Sequence, residues 1–195
     1  VLFVPTIAVS IYRAFDKTMI GIFTDSSSEN GYYEQADRIV QMCITVPTAL
    51  STVMAPRIAS NMAKKNIDMV NEYMYKTYEA LLLIAMPLGV GIFCTSNMIV
   101  PWFLGEQYYK VITLLKIFSI IIPIIALSNA TGAQYLIQAR EEKVYTKSIF
   151  LGAIVNFGLN LLMIPRIASA GAAIASVIAE FSILFYQMLY ICKKN

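Results

Sequence analysis

Residues 148–165 read SIFLGAIVNFGLNLLMIP, and residues 168–192 read ASAGAAIASVIAEFSILFYQMLYIC. The first stretch carries no charge, and the second carries only Glu180. Arg166 and Ile167 alone separate them. About 20 consecutive apolar residues make a helix long enough to cross the hydrocarbon core of a bilayer. A helix also satisfies its backbone hydrogen bonds within its own segment, which lipid demands because no water is there to do it. Two such blocks joined by a tight connector predict a membrane hairpin. They set the fold class as an all-α membrane protein.

Upstream the same alternation recurs. Apolar blocks fall at residues 2–23, 33–56, 79–100 and 111–139, which with 148–165 and 168–192 predict a six-transmembrane-helix bundle over residues 1–195. Between the second and third blocks, Ile67, Val70 and Met74 recur at helical spacing among Lys, Asp, Asn and Glu. That pattern predicts a short amphipathic helix at the membrane surface, about 66–78. Pro47, and Pro87 with Gly89 and Gly91, are the expected bends, and Pro123 lies within the fourth block. Trp102, Tyr108 and Tyr109 are the type of aromatic that settles at headgroup level.

Composition agrees. The chain is 58% hydrophobic and 14% charged, against roughly 45–50% and about 25% in soluble globular domains. There is no histidine, which excludes His-based triads, His-ligated metals and His proton switches. Cys43, Cys94 and Cys192 are far apart and lack metal-ligand spacing; Cys43 and Cys94 are expected to be buried apolar thiols. The net charge of +3 is modest, and there is no basic run of the kind that binds nucleic acid. The chain opens Val-Leu-Phe-Val-Pro, with no basic segment and no small-residue cleavage site. It is expected to be part of a longer protein.

Orientation follows from the basic residues, which concentrate on the cytoplasmic side of membrane proteins. Arg57, Lys64, Lys65 and Lys76 follow the second block, Arg140, Lys143 and Lys147 follow the fourth, and Lys193 and Lys194 follow the sixth. The opposite connectors offer Lys110 and Arg166. The bias alternates in phase with six spans and predicts cytoplasmic ends.

Ionisable groups within the spans are the candidate functional residues, because a charge at mid-bilayer costs about 2.5–3.5 kcal/mol and must face protein or water. Thr6, Ser10, Arg13 and Lys17 are spaced four, three and four apart, on one helical face, with Asp16 beside them. One reading is a water-filled cationic cavity for an anionic group such as phosphate. The other is an Arg13–Asp16 pair that only cross-links helices. Glu180 reads as a counter-ion to Lys17 or Lys116, or as a carrier of a proton or cation. Asn156 and Asn160, one turn apart, read as amides holding helices together. Lys116 lies in the cavity or snorkels to the surface. Gly171, Ala175 and Ala179 form a small-residue face for close helix packing.

The order of several short motifs resembles a known family. Tyr12 followed by Asp16, Met19, Ile20 and Gly21 is similar to the opening of that family's seventh helix. Gly31-Tyr32-Tyr33 with Ala36, Pro56-Arg57-Ile58-Ala59-Ser60, Phe103-Leu104-Gly105 with Tyr108, and Asn156, Asn160, Ile164-Pro165 with Gly171-Ala172-Ala173-Ile174-Ala175 follow in register. The family is that of the polysaccharide (oligosaccharide repeat-unit) flippases, within the multidrug, oligosaccharidyl-lipid and polysaccharide exporter superfamily. One departure is that Ile167 and Ala168 stand where the family commonly has a glycine.

The resemblance implies a twelve-helix transporter of which this chain is the C-terminal six-helix lobe, partnered by an N-terminal lobe in the bilayer. It implies translocation of undecaprenyl-pyrophosphate-linked oligosaccharide across the bacterial cytoplasmic membrane by alternating access, with no bond broken and hence no enzyme. Arg13, Lys17, Asp16, Ser10, Lys116 and Asn160 would bind substrate, and Glu180 and Asp16 would couple. No cofactor is expected, with H+ or Na+ as the coupling ion left open. The alternative is a cation-coupled multidrug antiporter of the same superfamily, which should have an acidic cavity rather than a basic one. A membrane enzyme of the same pathway is disfavoured by the short outer loops.

Overall fold

The computed structural model describes residues 3–24 and 26–194, with side chains from Ala14 onward. Among the described residues there is helix and no strand. The helices are α1 (Phe3–Thr24), α2 (Ser27–Ala63), α3 (Ile67–Phe103), α4 (Tyr109–Phe118), α5 (Ile121–Asn129) and α6 (Glu142–Lys194). A 3-10 turn, Glu106–Tyr108, precedes α4, and a π-helical stretch, Ala130–Leu136, extends α5. Three helices, α2, α3 and α6, are long and apolar enough to cross a membrane. The pair α4 and α5, bent by 46°, makes a fourth.

Burial is inverted relative to a water-soluble protein. Met42, Leu83, Met98 and Ile154 are each 69% exposed or more, whereas Asp16, Asn156, Asn160 and Gln187 are at most 2% exposed. An apolar exterior around a partly polar interior suits lipid as the outer solvent. The protein is a multi-pass membrane protein. Cys94 and Cys192 lie on the exterior and Cys43 is half-buried. Cys43 and Cys94 are expected inside, but an apolar block in lipid can place a thiol on either side of the helix.

Two breaks have local causes. In α6, Ile167 and Ala168 leave helical geometry, and the two arms fold back on each other. Gly171 sits so close to the backbone of Met163 that an added Cβ would lie 2.6 Å from it. Gly171, Ala175 and Ala179 are all buried, as their spacing predicts. The second break separates α4 from α5. Pro123 lacks the N–H that would bond the Ser119 carbonyl four residues earlier. Gly89 of α3 fills the space, its missing Cβ being only 2.8 Å from that oxygen. α3 itself is one continuous helix through Pro87.

The stretch 66–78, expected as a separate surface helix, is continuous with block 79–100. Asn66 starts α3 by accepting a bond from the Met69 N–H at 3.3 Å, and nothing breaks the helix where its polarity changes. Val70 and Met74 pack with Ile58 in a small cluster of their own. The main core joins all six helices.

The starts of α2, α4 and the second arm of α6 meet at one end. Lys110 Nζ donates to Glu29 Oε1 at 2.5 Å, and Ser169 Oγ donates to Glu29 Oε2 at 2.5 Å. Lys194, at the end of α6, pairs with Glu141 in the turn before that helix. Glu141 lies outside the apolar blocks, and the hydrogen bond from Lys194 holds its carboxyl below the ordinary carboxylate range.

Candidate functional site

Asp16 faces inward from α1 and is 2% exposed. Both its oxygens accept hydrogen bonds from neutral donors: Asn160 Nδ2 to Oδ1 at 2.5 Å, Tyr33 Oη to Oδ2 at 2.8 Å and Ser176 Oγ to Oδ2 at 2.9 Å. Asn160 also donates to Asn156 Oδ1 at 3.0 Å, and Asn156 donates to Ser176 Oγ at 3.4 Å. The network therefore ties α1 and α2 to both arms of α6. Helical spacing explains why it closes: Asn156 and Asn160 are one turn apart on the first arm, facing Ser176 on the second. Tyr33 is fixed edge-on against Phe118, their centroids 5.4 Å apart.

Among the described residues no Lys or Arg pairs with Asp16. One further atom in the network is notable: Asn160 Oδ1 is buried with no hydrogen-bond partner. A buried carboxylate held by neutral donors, beside an unused amide oxygen, is a set of oxygen atoms suited to a small hard cation.

Two cavities adjoin the network. The smaller, about 30 Å³, is lined by Asp16, Tyr33, Asp37, Ser176 and Glu180 among others; it has room for about one water-sized occupant. The larger, about 250 Å³, lies between α2, α5 and the two arms of α6, and Gln41, Ile125 and Glu180 border both. Along α2, Tyr33, Asp37, Gln41, Thr45 and Thr48 are spaced four, four, four and three apart, forming a polar stripe that lines the two cavities in turn. The sequence reading missed this stripe, although its spacing signal is the same as that on α1.

The predicted site residues separate into three groups. Asp16 and Asn160 come together, and Glu180 borders the adjoining cavities. Lys17 instead reaches Glu34, at 3.8 Å with both side chains well exposed, and Lys116 sits over the Phe93 ring, 5.9 Å from its centroid. Neither lysine lines either cavity. Among the described residues the lining is therefore acidic, and Lys17 and Lys116, expected to line a basic cavity, lie away from it. The side chains of Ser10 and Arg13, and with them the Arg13–Asp16 pairing, lie outside the described residues.

These features define an all-helical, multi-pass membrane protein with a hydrogen-bonding, acidic interior. Residues 1–113 match the family described as polysaccharide biosynthesis protein, and the chain belongs to that family. It is 21% identical over 193 residues to the lipid II flippase MurJ of Bacillus subtilis, covering 92% of this chain and 32% of that protein. It is also 21% identical over 182 residues to the probable low-salt glycan biosynthesis flippase Agl15 of Haloferax volcanii, covering 90% of this chain and 37% of that protein. The chain therefore spans about a third of the length of the curated relatives it matches. No solved structure matches it. The family resemblance read from the sequence is borne out by these matches.

Proposed function

We propose that this chain is a six-helix lobe, the C-terminal one, of a twelve-helix flippase in the bacterial cytoplasmic membrane. It works against an N-terminal lobe by alternating access. The cargo is an undecaprenyl-pyrophosphate-linked oligosaccharide bound for surface polysaccharide. The observation that carries this reading is the match, over nine-tenths of this chain, to two proteins each named a flippase. Six spans follow when α1 is counted, α4 with α5 is taken as one bent span, and the arms of α6 are taken as two. The meeting of Glu29, Lys110 and Ser169 supports that count, since six crossings bring those connectors to one face of the membrane. The basic-residue bias puts both ends of the lobe in the cytoplasm.

In this reading no bond of the cargo is broken, and the chain is not an enzyme. Asp16, with Asn160 beside it, is the coupling element for H+ or Na+, and Glu180 borders the route to it. Arg13 is the residue that would grip the pyrophosphate, with Ser10 on the same face of α1. Lys17 and Lys116 keep a part in substrate binding only if the second lobe or the cargo draws them inward. The acidic lining favours one second reading, a cation-coupled multidrug antiporter.

The test uses a strain lacking the gene, complemented with wild type, Arg13→Ala, Arg13→Lys and the double variant Arg13→Ala with Asp16→Ala. Membrane abundance, surface glycan and drug tolerance are measured together. The flippase reading expects glycan lost without complementation, absent in Arg13→Ala at normal abundance, and partly restored in Arg13→Lys. Normal glycan with lost drug tolerance in the null strain would leave the antiporter standing. Glycan rescued by the double variant would make Arg13 a structural partner of Asp16.

A further inference from the structure

On the outer side of the bundle, α3 and the joint between α4 and α5 leave a groove of about 250 Å³. Met86, Val90 and Phe93 form one wall, and Ile120 and Pro123 form the other. Four of these five are 49–57% exposed, so the groove opens to lipid. Its floor is Gly89, where an added Cβ would lie 2.8 Å from the Ser119 carbonyl oxygen. It shares no lining residue with the two interior cavities. Lys116 stands at one end, its Nζ 5.9 Å from the centroid of the Phe93 ring. Among the described residues no carboxylate pairs with Lys116, and residues 1–13 contain no Asp or Glu. Its depth follows from the sequence. Residues 117–139 carry no charge, a helical run of about 30 Å once its bend is allowed for. With Arg140 at one boundary of the hydrocarbon core, Lys116 reaches the other. Helical side chains lean toward the helix N-terminus, and α4 starts at the Lys110–Glu29 end, so the Lys116 stem leans toward that membrane surface.

We infer that this groove holds one phospholipid of net negative charge, its phosphate on Lys116 and one acyl chain along the apolar walls. The two halves of the site match the two halves of such a lipid in order and in depth. The cation lies at the headgroup end, and the apolar walls run from Phe93 and Ile120 toward Met86 and Pro123, deeper in the bilayer. An ammonium with no carboxylate of its own is completed by a phosphate oxygen. The charge of the headgroup decides between lipids. A glycerol headgroup leaves the phosphate uncompensated, whereas a choline or ethanolamine headgroup brings its own cation, which competes with Lys116 for that phosphate. The groove is on the lipid side and apart from the interior cavities, so its occupant is a lipid of the surrounding bilayer and not the lipid anchor of a transported molecule. This role places Lys116 outside the transport route and does not depend on the identity of the cargo.

The experiment is photo-crosslinking of the full-length protein in proteoliposomes of phosphatidylethanolamine. The probes are phosphatidylglycerol and phosphatidylcholine carrying the same diazirine acyl chain, added separately in equal amount. After irradiation and digestion, mass spectrometry reads the labelling of residues 86–93 and 117–123. One cation near a membrane surface is worth about a fivefold change in binding of an anionic lipid, so phosphatidylglycerol should label these segments about fivefold more than phosphatidylcholine. Lys116→Gln should bring that ratio to about one, and Lys116→Arg should keep it. Lys147→Gln, remote from the groove, should leave it unchanged. Val90→Trp, which fills the groove, should lower labelling of residues 117–123 by both lipids, and Ile120→Trp, read at residues 86–93, serves if that variant does not fold. Equal labelling by the two lipids in the wild type overturns the proposal, as does a ratio that survives Lys116→Gln. Labelling that the groove-filling variants leave unchanged overturns it too. Unlabelled undecaprenyl pyrophosphate is the competitor that separates the two sources of a lipid phosphate. If it displaces the probe at lower concentration than unlabelled phosphatidylglycerol does, the groove belongs to a transported lipid and the proposal fails. No labelling by either probe would mean that protein covers the groove, a second lobe or a second copy, and would overturn it as well.

Discussion

Asp16 and Glu29 are both buried carboxylates, 2% and 7% exposed, yet their surroundings differ in kind. Glu29 has a cation on one oxygen, Lys110 at 2.5 Å, and the Ser169 hydroxyl on the other. Asp16 has the Tyr33, Ser176 and Asn160 side chains, all neutral. A carboxylate with its own ammonium is electrically complete, and what it can do is tie helices together. A carboxylate held by neutral donors keeps its charge uncompensated by the described protein groups, so it either takes a proton or attracts a cation. The first arrangement ties three connectors together at one end; under the proposed function the second is the group that changes state during transport.

The sharpest way to break this contrast is Asp16→Asn, which keeps the shape, removes the charge and turns one acceptor oxygen into an N–H donor that the Tyr33 and Ser176 hydroxyls can accept. A charged hydrogen-bonding ligand contributes about 3 kcal/mol at the upper end, which is roughly a 100-fold change in an equilibrium. Transport by the full-length protein in proteoliposomes should therefore fall by about 100-fold, and what remains should no longer respond to a Na+ or pH gradient. The fold should survive, with a near-normal melting midpoint. Wild-type transport with unaltered ion dependence in Asp16→Asn would make Asp16 a structural group like Glu29.

Glu29→Ala addresses the other side. It strips Lys110 and Ser169 of their shared acceptor, and because Lys110 is half-exposed the loss should be modest, about 2 kcal/mol of stability. Ion dependence should not change. The added Lys110→Met substitution should cost little more, since its partner has already gone. A changed ion response in Glu29→Ala would erase the distinction between the two carboxylates.

The contrast was only half visible in the sequence. Helical spacing marked Asp16, Asn160 and Glu180 as buried polar groups in apolar blocks, because a charge in lipid must face inward wherever it stands. The tight hairpin was also readable, from two apolar blocks and a small-residue face. What spacing cannot supply is the angle at which each helix is turned toward its neighbours. Lys17 and Lys116 lie in the same blocks as the inward groups, and a rotation of α1 and α4 sends them to Glu34 and Phe93 instead. The partners of Asp16 on α2 and α6 come from positions 17, 144 and 160 residues away, and no local pattern encodes those meetings. The continuity of α3 escaped for another reason: a change from polar to apolar surface looks like a boundary, but the backbone needs a Gly, a Pro or a cap to stop.

The smallest expected effect lies at the turn that delivers Ser169 to Glu29. Ala168 stands there with φ 49° and ψ −132°, backbone territory that a Cβ opposes and glycine enters freely. Holding a non-glycine residue in such a region costs about 1–3 kcal/mol. The strain persists because the neighbouring contacts require it: from this turn Ser169 donates to Glu29 Oε2 through both its N–H, at 3.4 Å, and its hydroxyl. Ala168→Gly should remove the strain and leave those bonds in place. Glycine also loses more freedom on folding, roughly 0.5–1 kcal/mol, so the net gain should be only about 1 kcal/mol. Ala168→Val should act in the opposite direction. Thermal unfolding of the purified protein, with and without Glu29→Ala, measures both terms. If the turn is strained in order to reach Glu29, the gain from Ala168→Gly should vanish in the Glu29→Ala background, where the backbone is free to relax. A gain that persists in that background would place the cause of the strain in the packing of the hairpin arms at Gly171, and a loss of stability on Ala168→Gly would show that the backbone there carries no strain worth relieving.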